Sequence, residues 1–256
     1  MIENTKKKPQ NERKGALAEN LRTVGYALLI ALFVRAFLFQ PFNIPSGSML
    51  PTLLIGDYLF VSKYAYGFSR HSLPFSPPIF EGRIFESEPK RGDVIVFKVP
   101  TDNRTDFIKR LIGLPGDEIQ MKDGVLYING EAVKKERVDD FIKRDPRGNT
   151  IREPRYRETL PNGVSYVVLD LDRAGRRDNT GIYKVPPGHY FMMGDNRDNS
   201  SDSREPSVVG FVPAENLVGR AEIIFFSTDG SARLWEVWRW FLAIRWDRIF
   251  MTVESS

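Results

Sequence analysis

Asp106-Phe107-Ile108-Lys109-Arg110-Leu111-Ile112-Gly113, closed by Leu114-Pro115-Gly116-Asp117, is the stretch from which the fold class follows. An apolar run of strand length ended by a Pro-Gly turn predicts a β-strand. Period-2 alternation sends Lys109 to one face of it and Ile108 and Arg110 to the other. The same grammar recurs on both sides. Tyr58-Leu59-Phe60-Val61-Ser62 follows Gly56-Asp57, and Val94-Ile95-Val96-Phe97 follows Arg91-Gly92-Asp93. Glu118-Ile119-Gln120-Met121 and Val125-Leu126-Tyr127-Ile128 flank Lys122-Asp123-Gly124, a hairpin signature. Further strands are expected at 131–133, 164–169, 182–183, 190–193 and 221–226. Residues 134–158 are dense in charges of both signs and read as a solvated insertion. The chain is mostly β.

With 256 residues there is room for one or two domains with a real core. A net charge of +4, with basic and acidic residues interspersed, argues against a nucleic-acid partner, which needs a one-sided basic face. The chain has no cysteine and two histidines, His71 and His189. Disulfides, thiolate sites and cysteine nucleophiles are thereby excluded, and a histidine-rich metal site is not expected.

Upstream of the strands, residues 1–22 are polar, with Lys6, Lys7, Lys8, Arg13 and Lys14 among them. Residues 23–39, TVGYALLIALFVRAFLF, carry one charge, Arg35. As a helix they would measure about 25 Å, the short end for a bilayer span. The basic flank before them predicts a cytoplasmic N-terminus and an exported body. A cleaved signal peptide is the rival reading, since Ser46-Gly47-Ser48 supplies a small-x-small pattern; Arg35 and seven intervening residues with two prolines count against it. At the other end, residues 231–256 hold all four tryptophans, alternating with Arg239, Arg245 and Arg248. An amphipathic helix there suits the bilayer interface or packs on the body.

Between anchor and strands stands Ile44-Pro45-Ser46-Gly47-Ser48-Met49-Leu50-Pro51-Thr52. Prolines on both sides fix an extended, rigid segment, and the glycine lets another backbone approach. Such a serine is either a presented nucleophile or part of an ordinary polar turn. A serine hydroxyl needs a base, and neither histidine lies in a recognisable nucleophile context; there is no G-x-S-x-G elbow. A lysine base is the other solution, but no serine here is followed three residues later by lysine. Lys109 is the candidate that the strand pattern offers. A free lysine is neutral only about once in a few thousand at pH 7, and burial lowers its pKa by up to several units. A surface lysine at a strand edge is the plain alternative.

Four segments, in order behind the apolar run, resemble the conserved boxes of the bacterial type I signal peptidases. Residues 45–52 resemble the nucleophile box, and Arg91 to Phe97 the next. Phe107-Ile108-Lys109-Arg110 with Gly113 to Asp117 resembles the lysine box, and Gly194 to Arg204 (GDNRDNSSDSR) the last. The resemblance implies Ser48 as nucleophile and Lys109 as general base. Ser46 would supply an oxyanion-hole hydroxyl beside the Ser48 N–H. Ser200 would orient Lys109, and Asp202 and Arg204 would form a structural pair nearby. Phe42, Ile44, Met49, Leu53, Phe107 and Ile108 fall where the family lines shallow substrate pockets suited to alanine-sized side chains. A calcium loop at Asp195, Asn199 and Asp202 is rejected, because Arg197 stands in a ligand position and the required glycine is missing.

The expected architecture is a signal-peptidase-like β-sheet catalytic core from 41–117 and 190–230, with 118–189 inserted as a β-rich cap. An N-terminal transmembrane helix and a C-terminal amphipathic helix flank it. The function that follows is a membrane-bound serine endopeptidase removing signal peptides from exported preproteins after small-x-small motifs. Its partners are those preproteins and the lipid bilayer; no cofactor, metal or nucleic acid is expected. A repressor-type Ser-Lys protease and a non-catalytic peptide receptor are the rivals.

Overall fold

Residues 106–113 do form a strand, and from Lys109 onward its side chains are buried on both faces, as befits a strand inside a sheet. The computed structural model describes residues 10–73, 76–77, 80–144, 149–171, 175–232 and 235–253. Its first strands are β1 (Phe39–Asn43), β2 (Asp57–Ser62), β3 (Val94–Lys98) and β4 (Asp106–Gly113). Next come β5 (Glu118–Lys122), β6 (Val125–Ile128), β7 (Glu131–Ala132), β8 (Lys134–Arg144) and β9 (Thr150–Thr159). The last are β10 (Ser165–Leu169), β11 (Tyr183–Lys184), β12 (His189–Met193), β13 (Val212–Pro213) and β14 (Leu217–Ser227). Among the described residues the α-helices are α1 (Gln10–Phe33) and α2 (Val237–Ala243).

Seven strands form an antiparallel sheet in the order β1-β2-β14-β3-β4-β12-β13. Strands drawn from 118–184 make two smaller sheets, β11-β5-β6-β7 and β10-β9-β8. The β5–β6 turn has Asp123 at φ 47° and Gly124 at φ 72°. Both are left-handed, as the two-residue hairpin turn requires. One apolar cluster crosses between the sheets, joining Ile112, Phe191 and Met193 to Ile119, Leu126, Tyr166 and Val168. A second gathers Ile44, Met49, Leu53, Leu59, Val61 and Ile224 behind the serine-bearing turn.

Three expectations need correcting. The run at 23–39 is not one helix: α1 carries it to Phe33, a π-helical turn takes Val34–Leu38, and Phe39 begins β1. Pairing of Phe39 with Ser62 draws the end of the run into the sheet. The apolar part of α1 is then only about 16 Å long, half a bilayer core. No helix among the described residues is long and apolar enough to cross a membrane. Lys6, Lys7 and Lys8 of the basic flank lie outside the described residues.

The charged segment 134–158, read as a solvated insertion, carries β8 and most of β9, which pair antiparallel in the sheet β10-β9-β8. Charged side chains bind across the two strands: Lys143 pairs with Glu153, and Arg155 Nε donates to the Asp139 carbonyl at 2.6 Å. Residues 45–52 are not extended throughout: the backbone is extended at Ser46 and again at Leu50, but not between them. Gly47–Met49 then coils into a 3₁₀ turn closed by the Leu50 N–H donating to the Gly47 carbonyl.

Candidate active site

The short turn Gly47–Met49 and strand β4 meet at Ser48 and Lys109. Lys109 is 3% exposed. Its Nζ lies 2.6 Å from Ser48 Oγ and donates to the Ile108 carbonyl at 3.0 Å. Burial lowers its pKa to about 8; Asp202 and Asp195 partly oppose that, and Arg204 adds to it. A hydroxyl against an amine held near neutrality is able to lose its proton to it. Ser46 Oγ is 3.4 Å from Ser48 Oγ, on the same rim.

The turn is held by the loop after β12. The Asn196 N–H donates to the Ser48 carbonyl at 3.1 Å, and its side-chain amide donates to the Gly47 carbonyl at 3.0 Å. Gly194 makes this approach feasible: a Cβ there would stand 2.5 Å from the Ser48 carbonyl oxygen and would also collide with the Ser200 side chain. Within the loop, Arg204 grips Asp202 through Nε and Nη2, both at 2.9 Å, and the Gly194 N–H donates to the same carboxylate at 3.0 Å. Burial alone would raise the Asp202 pKa; the Arg204 guanidinium outweighs it and holds the group below its usual range.

A cavity of about 530 Å³ opens over the pair, lined by Phe42, Ile44, Ser46, Phe107 and Ile108. Two expected pocket residues are elsewhere. Met49 and Leu53 are fully buried in the core and do not line it. Ser200 lines the cavity, but no hydrogen bond joins it to Lys109; its hydroxyl helps instead to hold Asp202 below the usual carboxylate range. On the rejected calcium reading, Asp195 and Asp202 each face an arginine, Arg110 and Arg204. A different trio, Asp170, Asp178 and Asp198, brings its carboxylates within 4.8 Å of one another. Asp170 pairs with Lys135, and the other two accept backbone N–H bonds from Gly175 and Leu171.

Sequence reasoning missed the supports. Arg110 binds Asp195 through Nε and Nη2, at 2.9 and 2.7 Å, both residues being buried. Thr52, four residues past Ser48, donates to the same carboxylate at 2.5 Å. This fixes β4, the far end of the serine segment and the loop after β12 to one another. The signal was available only as alternation: Arg110 points opposite to Lys109, and an arginine on an apolar strand needs a carboxylate.

Residues 17–226 match the family model described as signal peptidase, peptidase S26. A signal peptidase I of Rickettsia typhi is 45% identical over 211 residues, 79% of this chain and 78% of that one. That of Rickettsia canadensis is 40% identical over 259 residues, 93% and 94% of the two chains. A solved signal peptidase I from Enterococcus faecalis is 27% identical over 52% of this chain and 97% of its own, with a TM-score of 0.31, too low to bear on the fold. By the family match and the span of its curated relatives, the chain belongs to the signal peptidase family S26, as a type I signal peptidase and thus a serine peptidase.

Proposed function

We propose that this chain cleaves signal peptides from exported preproteins by a Ser48–Lys109 dyad, cutting after small-x-small motifs. The observation that carries the reading is the 2.6 Å approach of a buried lysine amine to a serine hydroxyl on the floor of an open cavity. Ser48 Oγ attacks the scissile carbonyl while Lys109 takes its proton; the tetrahedral oxyanion forms beside the Ser48 N–H and the Ser46 hydroxyl. Lys109 hands the proton to the leaving amine, leaving an ester on Ser48. Lys109, neutral again, then takes a proton from a water that attacks the ester and releases the signal peptide. Asp202 with Arg204 fixes the loop behind Lys109, and Ser200 acts on the lysine through that loop.

The substrate enters extended. Residues 106–108 of β4 pair with β3 on one side only, since β12 begins its pairing at Arg110. β1 is the free edge at the end of the sheet. A peptide strand added along these edges sets alternate side chains against Ile44, Phe42 and Ile108. Residues 118–189 form a cap on this core.

The catalytic body works at a membrane surface, where exported preproteins present their signal peptides. Exposed apolar side chains along α1, among them Leu28 and Phe33, support a bilayer contact. Cleavage of a small-x-small preprotein by the detergent-solubilised chain tests the chemistry, with Ser48→Ala and Lys109→Ala alongside. Wild type alone should cleave. Activity surviving both substitutions would place the chemistry elsewhere, and a folded but inactive wild type would favour a peptide receptor.

A further inference from the structure

A second cavity, of about 540 Å³, lies where the end of α1 and the start of β1 meet the turns near 63–72 and 98–106. It shares only Asp106 with the lining of the Ser48 cavity. Its charge is one-sided: Arg35, Lys63, Lys98 and Arg104 line it against the single carboxylate of Asp106. Lys98 already holds that carboxylate at 2.9 Å. Neither the Arg35 nor the Arg104 guanidinium has a carboxylate partner among the described residues.

Two buried groups show what is missing. Lys63 is 2% exposed, and its ammonium donates to the Ser72 carbonyl. Burial and the Arg35 charge push its pKa down to about 8, against Asp106 and with a further push from Lys98. His71 is 5% exposed; its Nε2 accepts from Arg70 Nε at 3.2 Å, so the neutral ring carries its proton on Nδ1. That Nδ1 has no partner among the described residues. A buried donor without an acceptor, beside four cations that share one carboxylate, is a costly arrangement that a multi-oxygen anion relieves.

We propose that this cavity binds a phosphate group, taken from an anionic lipid headgroup or from solution. Ammonium, guanidinium and imidazole donors along one lining match several oxygens with more than one negative charge between them. The exposed apolar flank of α1, Leu28, Leu29 and Leu32, runs up to Arg35 and offers a seat for acyl chains, which favours the lipid. The lipid source rests on the bilayer contact proposed above; the site itself depends neither on that nor on the Ser48–Lys109 reading.

The chain's two histidines make the test simple. The full chain, ¹⁵N-labelled at histidine and held in a maltoside detergent, is titrated with inorganic phosphate and separately with dihexanoyl phosphatidylglycerol. The His71 ring signals should move saturably while those of His189 stay. Arg35→Gln with Arg104→Gln, both exposed in the wild type, should weaken the midpoint about tenfold. Arg152→Gln with Arg157→Gln, an equal charge change on β9, should leave it unchanged. Saturation by the lipid at the lower concentration supports the headgroup as ligand; saturation by phosphate first supports the free ion. A stationary His71 with both probes, or equal weakening by the two pairs, overturns the site.

Discussion

On the proposed mechanism Lys109 couples stability to activity, since the burial that makes its amine a base also costs the fold. Its amine titrates near pH 8 in the fold and near 10.5 when unfolded. Between these values the unfolded chain holds the extra proton, so stability rises with pH across that window. Below pH 8 the full penalty of burying the ammonium is present, up to about 3 kcal/mol by the linkage relation. Lys109→Met, of similar volume, should therefore abolish cleavage and raise the melting temperature at pH 7. Wild-type cleavage should climb as pH rises through about 8, because the base must be neutral. A lower melting temperature for Lys109→Met would mean that Asp195 and Asp202 stabilise the ammonium more than burial penalises it. Lys109 was legible in the sequence because strand alternation and the family resemblance named the same residue. For its neighbour Arg110 alternation signalled the need for a carboxylate but could not name Asp195, 85 residues away.

At the scale of elements, the serine turn owes its position to the loop after β12 rather than to its own prolines. Gly194 lets that loop lie against the Ser48 carbonyl, where Asn196 makes two hydrogen bonds to the turn. Gly194→Ala should push the turn away from β4. The expected result is a fall in kcat of about a hundredfold, the order that a 1 Å misplacement of reacting groups costs. KM should change little, because Ile44 and Phe42 stay in place. Kinetics with a preprotein substrate decide this, and an unchanged kcat would show that the turn holds itself. Local pattern foretold β2 to β6 because short apolar runs between Gly, Asp and Pro carry their own boundaries. It missed the β8–β9 ribbon because opposed charges stabilise strands only once paired, and pairing is not a property of either strand alone.

For the whole molecule, apolar surface gathers at both chain ends and along the sheet edge between them. Phe60 stacks on Phe225 across β2 and β14, with ring centroids 4.3 Å apart, and Phe39 on β1 meets Phe60 edge-on at 6.3 Å. The C-terminal tail both packs and protrudes. Arg248 binds the buried Asp57 carboxylate at 3.1 and 2.7 Å, and its Nη2 donates to the Thr52 carbonyl, so the tail is tied to the serine segment. Yet Trp238 and Leu242, on one face of α2, are 75% and 83% exposed. The sequence offered packing or membrane contact as alternatives; composition could not separate them because arginine serves one and tryptophan the other. Removing the tail would strand Asp57 in the core, at a cost of about 3–5 kcal/mol, and so confound any membrane measurement. Trp238→Ser with Leu242→Ser instead removes only exposed apolar surface. Binding of the chain to phosphatidylcholine–phosphatidylglycerol vesicles should then fall several-fold with the melting temperature unchanged, since interfacial affinity scales with the apolar area buried. Undiminished binding would assign the bilayer contact to α1 and the β1–β2 edge, and leave the tail as a strap that holds the serine segment on the sheet.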